Sequence, residues 1–190
     1  MPKQRITKEM VVDAAFEIAR TQGTEQIMVK NIANKLGCSV QPIYSYCNNM
    51  EGLYHDVEKK AACFIQEYLS SHIDRNNFFQ STGHAYIQLA KEEPHIFRMF
   101  ILRKRESVHS LDDLYQSETD PQIAQFIADD LNISLAKAKE LHLNMLIYTV
   151  GISTILATGA PDILTDEILA REETAYQAFL KQTLESERSK

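Results

Sequence analysis

Apolar positions in this chain recur three and four residues apart over most of its length, and alternating apolar and polar runs are absent, a pattern that predicts helices and no strands. Thr7 can cap a first helix with Glu9 in its opening turn; Val11, Ala14, Ala15, Ile18 and Ala19 form a broad apolar stripe, and Gly23 stops it after Gln22. From Val29 to Asn49 the pattern breaks into two short helices. Ile32 and Leu36 share one face, Ala33 permits close crossing, and Gly37 supplies a sharp turn. Ser39 can then cap a second helix whose apolar side is Val40, Ile43 and Cys47. Gln41, Pro42, Tyr44, Ser45 and Tyr46 remain, a face without formal charge that can hydrogen-bond and stack. Such an arrangement reads as a helix-turn-helix with its second helix offered to the DNA major groove.

Asn48 and Asn49 make a turn, and Asn49 can cap a long fourth helix to about Ser71, with Leu53, Val57, Ala61, Phe64 and Tyr68 in register. A helix from Asn76 to Glu93 ends at Pro94, and a shorter one carries Ile96, Phe97, Met99, Phe100 and Leu102 before Arg103, Lys104 and Arg105. The polar run through Thr119 is expected to be loop or loosely helical, and Pro121 begins a helix through Leu131. Ser134 caps a helix to about Thr158. Between Leu141 and Pro161 it has no charged residue, yet His142, Asn144, Ser153, Thr154 and two glycines argue for a helix buried in protein and against a membrane span. Thr165 caps the last helix, which carries Ile168, Leu169, Tyr176, Phe179 and Leu180. Two apolar-sided helices at the end of the chain can pair with a second copy, so a homodimer through the last two helices is expected.

Charge changes the picture by its distribution. The 190 residues carry a net charge of -6, but residues 1–60 hold eight Lys/Arg against seven Asp/Glu, a balance of +1, while residues 61–190 hold twelve against nineteen, -7. Only the N-terminal part suits a polyanion. Three cysteines without a CxxC pair argue against a disulfide framework or zinc cage and for a reducing cytoplasm; Cys38, Cys47 and Cys63 read as small buried hydrophobes. Polar residues directly after Met1 predict no signal peptide.

Candidate DNA contacts follow from the exposed face. Gln41 can bond an adenine edge in two places and Pro42 can touch a thymine methyl. Ser39, Tyr44, Tyr46 and Asn48 surround them, Tyr46 facing either DNA or the start of the fourth helix. Lys30 and Asn31 at the preceding helix start, and Lys3 and Arg5 in a short basic arm, are placed for phosphates. The two ExxH strings, Glu92–His95 and Glu106–His109, cannot each set both ligands on one helical face, because Pro94 breaks the first and the second lies in the polar segment. No nucleophile elbow, phosphate loop or HExxH pair occurs. The expectation is no enzyme, no cofactor and no metal.

The run VVDAAFEIARTQG from Val11, the pair Ile32–Ala33, the GCS at Gly37–Ser39 and the pair Ile43–Tyr44 resemble the N-terminal domain of TetR/AcrR transcriptional regulators, and YIQLAKEEPHIFRMF from Tyr86 is similar to the ligand domain of one subgroup. The resemblance implies an all-α chain with a DNA-binding three-helix domain at 1–49, joined by the long fourth helix to a ligand-binding and dimerisation domain at 50–190. It also implies that Tyr44 contacts phosphate. Gln41 and Pro42 stand where the family commonly has glycine and threonine, Tyr46 and Cys47 where it has histidine and phenylalanine, and Met50 where it has a phosphate-binding lysine. The operator sequence is therefore not transferable.

A pocket among the middle helices is implied too, with Phe64, Tyr68, Tyr86, Phe97, Phe100, Phe126, His142, Met145 and Tyr148 as candidate lining, most of them expected to be plain core. The function so implied is a homodimeric repressor on a pseudo-palindromic operator of double-stranded DNA, its reading heads about 34 Å apart, released by an unknown small molecule. Two alternatives from other classes are a constitutive DNA-binding dimer and an all-helical binding protein that does not bind DNA.

Overall fold

The computed structural model describes residues 6–46, 50–74, 77–105, 107–159 and 162–188, which form ten α-helices and a short 3-10 turn, with no strand among them. The expectations for Lys3, Arg5, Cys47, Asn48, Asn49, Asn76, Glu106 and Pro161 fall outside the described residues.

Thr7 caps α1 (Lys8–Gln22) by accepting from the Met10 amide at 3.2 Å. The predicted stripe is buried whole, with Phe16 added to it. After the turn at Thr24–Gln26 come α2 (Val29–Leu36) and α3 (Val40–Tyr46), separated at Gly37, whose φ of 63° is left-handed backbone that a side chain would strain. Their mutual face is Ile32, Ala33 and Ile43. Val40, expected on that apolar side, is 43% exposed: the helix is short, and of the two described members of the assigned three only Ile43 points at α1 and α2.

α4 (Met50–His72) runs off this unit without a break in packing. One hydrophobic core holds α1–α4 together with Leu89 and Ala90 of α5 (Phe78–Glu92), Ile96 and Phe97 of α6 (Pro94–Ile101), and Ala157. Tyr54 reinforces the junction, its hydroxyl donating to the Thr24 and Ile27 carbonyls. A bidentate pair crosses from α1 to the α5–α6 corner: Arg20 Nε to Glu93 Oε2 at 2.9 Å and Arg20 Nη2 to Glu93 Oε1 at 2.5 Å.

The polar segment before Thr119 is a full helix, α7 (Leu111–Glu118), where looser structure was expected. Ser110 caps it by accepting from the Asp113 amide, and Asp113 in turn accepts from His109, so a reciprocal cap offsets the polar composition. α8 (Pro121–Leu131) and α9 (Leu135–Thr158) follow, then α10 (Thr165–Arg188). Two hydroxyls expected as caps are used otherwise. Ser134 donates to Glu187, and Thr165 lies inside α10 and accepts from Lys91. α9 is long and apolar enough to cross a membrane, and it packs against α5, α6, α8 and α10. The cysteines were expected as small buried hydrophobes; of the two described, Cys38 is only half-buried and Cys63 is exposed.

Candidate nucleic-acid interface and ligand cavity

α3 presents Val40, Gln41, Tyr44 and Ser45 to solvent, with Tyr44 62% exposed. Anchoring comes from below. Ile43 is completely buried, and Tyr46 and Met50 lie half-buried, packed against the same core. Ser45 donates to the Gln41 carbonyl at 3.2 Å, leaving the Gln41 side chain at the surface. Val40 adds an apolar contact beside Gln41 that suits a thymine methyl. Pro42 is half-buried and Ser39 exposed. Lys30 is exposed at the start of α2, whereas Asn31 is partly engaged, its amide donating to the Gln26 carbonyl at 2.9 Å.

A second feature lies at the other end. α5, α6, α7, α8, α9 and α10 enclose a cavity of about 300 Å³, at the lower end of the range for small-molecule sites. Phe79, Tyr86, Phe100, Met145 and Tyr176 give it an apolar wall. At one side Arg105 and Arg103 both bind Glu118, at 2.6 and 2.8 Å. Burial opposes the charge of Glu118, but hydrogen bonds from these two arginines outweigh it and hold the carboxyl below its ordinary range. His142 meets the Tyr115 hydroxyl at 2.9 Å, and burial pushes the imidazole down to about 4, so it is neutral at neutral pH. On α10, Glu172 is 3% exposed; Thr149 donates to its Oε1 at 3.0 Å. Burial, against the Thr149 hydrogen bond and with help from the neighbouring Glu173, pushes Glu172 up to about 7.

No family model matches the chain. It is similar, at 21% identity over 105 residues, to the uncharacterized HTH-type transcriptional regulator YobS of Bacillus subtilis (strain 168). That match takes in 54% of this chain and 55% of the relative, so the chain spans about half the length of the curated relative it matches. Its fold is that of a transcriptional regulator from Rhodococcus sp. Rha1 solved by crystallography, with a TM-score of 0.63 at 19% identity over 95% of this chain and 97% of the other.

Of the nine residues expected at the cavity, Tyr86, Phe100, His142 and Met145 line it. The other five lie elsewhere. Phe64 packs on Phe16 at 5.7 Å under the Arg20 guanidinium, and Tyr68 stacks on His72 while donating to Glu92 at 2.6 Å. Phe97 turns into the first core, one helical face away from Phe100. Phe126 is exposed against Phe78, and Tyr148 reaches the Arg171 carbonyl at 3.4 Å. Phe79, Tyr176 and Glu172 were missed as lining. Glu172 had a signal: it falls at the midpoint of the apolar series Ile168, Glu172, Tyr176, where a charge does not belong unless it has work to do.

Proposed function

We propose that this chain is a sequence-specific, DNA-binding transcriptional regulator of the TetR type, acting as a homodimer and released from its operator by a small molecule held in the cavity. The observation that carries the reading is α3, which offers Gln41, Tyr44 and Val40 outward while Ile43 locks its other side to α1 and α2. In this reading Gln41 reads a base, Tyr44 and Lys30 hold phosphates, and residues 1–49 and 50–190 are the two functional divisions. Dimerisation through the last two helices is supported by an apolar strip on α9, where Ile147 and Ile155 are exposed on either side of Gly151.

The connection between the two ends is α6. Phe100 and Ile101 face the cavity, Ile96 and Phe97 enter the core that holds α1, and Arg98 donates to the Ala157 carbonyl at the end of α9 at 2.6 Å. A ligand that binds better when α6 is displaced would shift α1 and α4 with it and change the spacing of the reading heads. The test is a gel-shift and anisotropy titration against DNA from upstream of the reading frame. A selective complex at one pseudo-palindrome, weakened by salt and formed by a dimer in sedimentation, is expected. Equal affinity for scrambled DNA, or no complex at low salt, overturns the reading.

A further inference from the structure

Glu172 is the one cavity carboxylate with an oxygen left over among the described residues. Its Oε2 has no hydrogen-bond partner, although Oε1 is held by Thr149. The space it occupies exists because position 83 is glycine: a Cβ there would collide with the Glu172 carboxylate. The other charged groups of the lining already have hydrogen-bond partners. Arg105 is locked on Glu118, and Glu173 accepts from Gln80 and Gln177. His84 approaches Glu172 Oε2 at 3.4 Å without bonding it, and burial lowers its pKa, so at neutral pH it brings no positive charge.

We propose that the cavity selects amphipathic amines, with an aromatic or branched apolar body among Phe79, Tyr86, Phe100 and Tyr176 and a protonated nitrogen against the Glu172 carboxylate. The proposal rests on the small-molecule reading of the cavity given above. Three carboxylates line the cavity and only Glu118 is paired with guanidinium groups, those of Arg103 and Arg105, so with Glu172 ionised the site carries a negative excess that an anion meets as repulsion. A neutral donor would satisfy the free oxygen but leave the buried charge unmatched; an ammonium does both. Burial already holds the carboxyl near neutral pH, and an arriving cation draws off its proton.

The experiment is calorimetric titration of the full chain with three probes of one carbon skeleton: 4-phenylbutylamine, 4-phenylbutan-1-ol and 4-phenylbutyrate. At pH 7.5 the amine should bind about tenfold or more tighter than the alcohol, and the acid weakest. Glu172→Gln, which keeps shape and the Thr149 bond, should bring the amine-to-alcohol ratio close to one while alcohol binding persists. In the unaltered chain the amine preference should fall between pH 7.5 and 5.5, as Glu172 takes up a proton. Over that range Arg105 and Glu118 hold each other, Glu173 keeps its two amide donors, and His142 remains neutral, so the alcohol should show no such slope. Equal binding of amine and alcohol, or an amine preference that survives Glu172→Gln or ignores pH, overturns the amine assignment and leaves the cavity as a ligand site. Binding of none of the three overturns both. The DNA titration above uses no ligand and is read separately.

Discussion

The unit that carries α3 and the unit that encloses the cavity treat polar groups differently. Every buried polar side chain among the described residues, Thr149, Ser153, Glu172 and Thr183, belongs to α9 or α10, while the buried side chains of α1–α4 are aliphatic or aromatic throughout. A dry, interlocked core has one good packing, so it holds an exposed helix in one orientation. A cavity edged by carboxylates and a neutral imidazole has unmet bonding capacity, which makes it responsive to what enters. Rigidity behind the exposed face of α3 and unmet polarity at the other end are what the proposed switch needs, provided the two are connected.

The sharpest way to break this contrast is to remove packing from each region in turn. Ile43→Ala should cost about 2 to 5 kcal/mol in denaturant unfolding, because α3 is short and Ile43 is its one fully buried side chain. Phe100→Ala, which widens a space that is already open, should cost clearly less than removal of a fully buried aromatic. Comparable losses at both positions would mean that the cavity region is packed as tightly as the N-terminal one.

A second contrast is in pH. Glu172 rises from 4.5 to about 7 on folding, a difference on the order of 3 kcal/mol. Since its folded-state pKa is the higher one, the folded chain binds the extra proton, and this stabilisation is present below pH 4.5 and lost as pH rises through about 7. His142, lowered from 6.5 to about 4, works in the opposite sense, costing stability as pH falls through that window. Comparing the unaltered chain with Glu172→Gln cancels the His142 part, since both have it. The variant should gain stability relative to the unaltered chain from pH 4.5 to 7 and hold the gain above; a difference flat in pH would place Glu172 in water-like surroundings. No charged group is buried in the N-terminal unit among the described residues, so Ile43→Ala should show no comparable pH slope.

The two regions were also unequally legible in the sequence. Helix-turn-helix geometry is local: Gly37, Ile32 and Ile43 fix it within fifteen residues, and the apolar spacing of α1 and the ends of α9 were readable for the same reason. The cavity is assembled from six helices, and which side of a helix faces it depends on long-range packing. Phe97 and Phe100 are equally apolar in the sequence, yet Phe97 is buried wholly in the core while Phe100, at its edge, also lines the cavity. α7 was hidden by composition. Its polar run outweighed the Ser110–Asp113 cap and the Leu111, Leu114, Tyr115 spacing that mark it as helical.

On the proposed DNA-binding reading, Gln41→Ala should relax discrimination at one base pair by about 1 to 3 kcal/mol, whereas Lys30→Ala should weaken all sequences alike and reduce the salt slope by about one. Competition binding against a set of single-base operator variants separates the two. Uniform weakening by Gln41→Ala would move base readout to Val40 and Pro42, the neighbouring groups able to meet a thymine methyl.

The smallest expected effect addresses the connection itself. Arg20 and Glu93 tie α1 to the α5–α6 corner through two parallel hydrogen bonds, with the Glu93 side chain 13% exposed and Arg20 35%. Solvent at the arginine screens the pair, so a double-mutant cycle with Arg20→Ala and Glu93→Ala should give a coupling energy of about 1 kcal/mol in unfolding. Its effect on switching should be larger in proportion. If the pair carries motion of α6 to α1, either single change should reduce the ratio of DNA affinities measured without and with a cavity ligand, and the double change should reduce it no further. A cycle with measurable coupling in stability but an unaltered affinity ratio would leave Ile96 and Phe97, packed directly between α6 and α1, as the contacts through which the cavity reaches the reading helix.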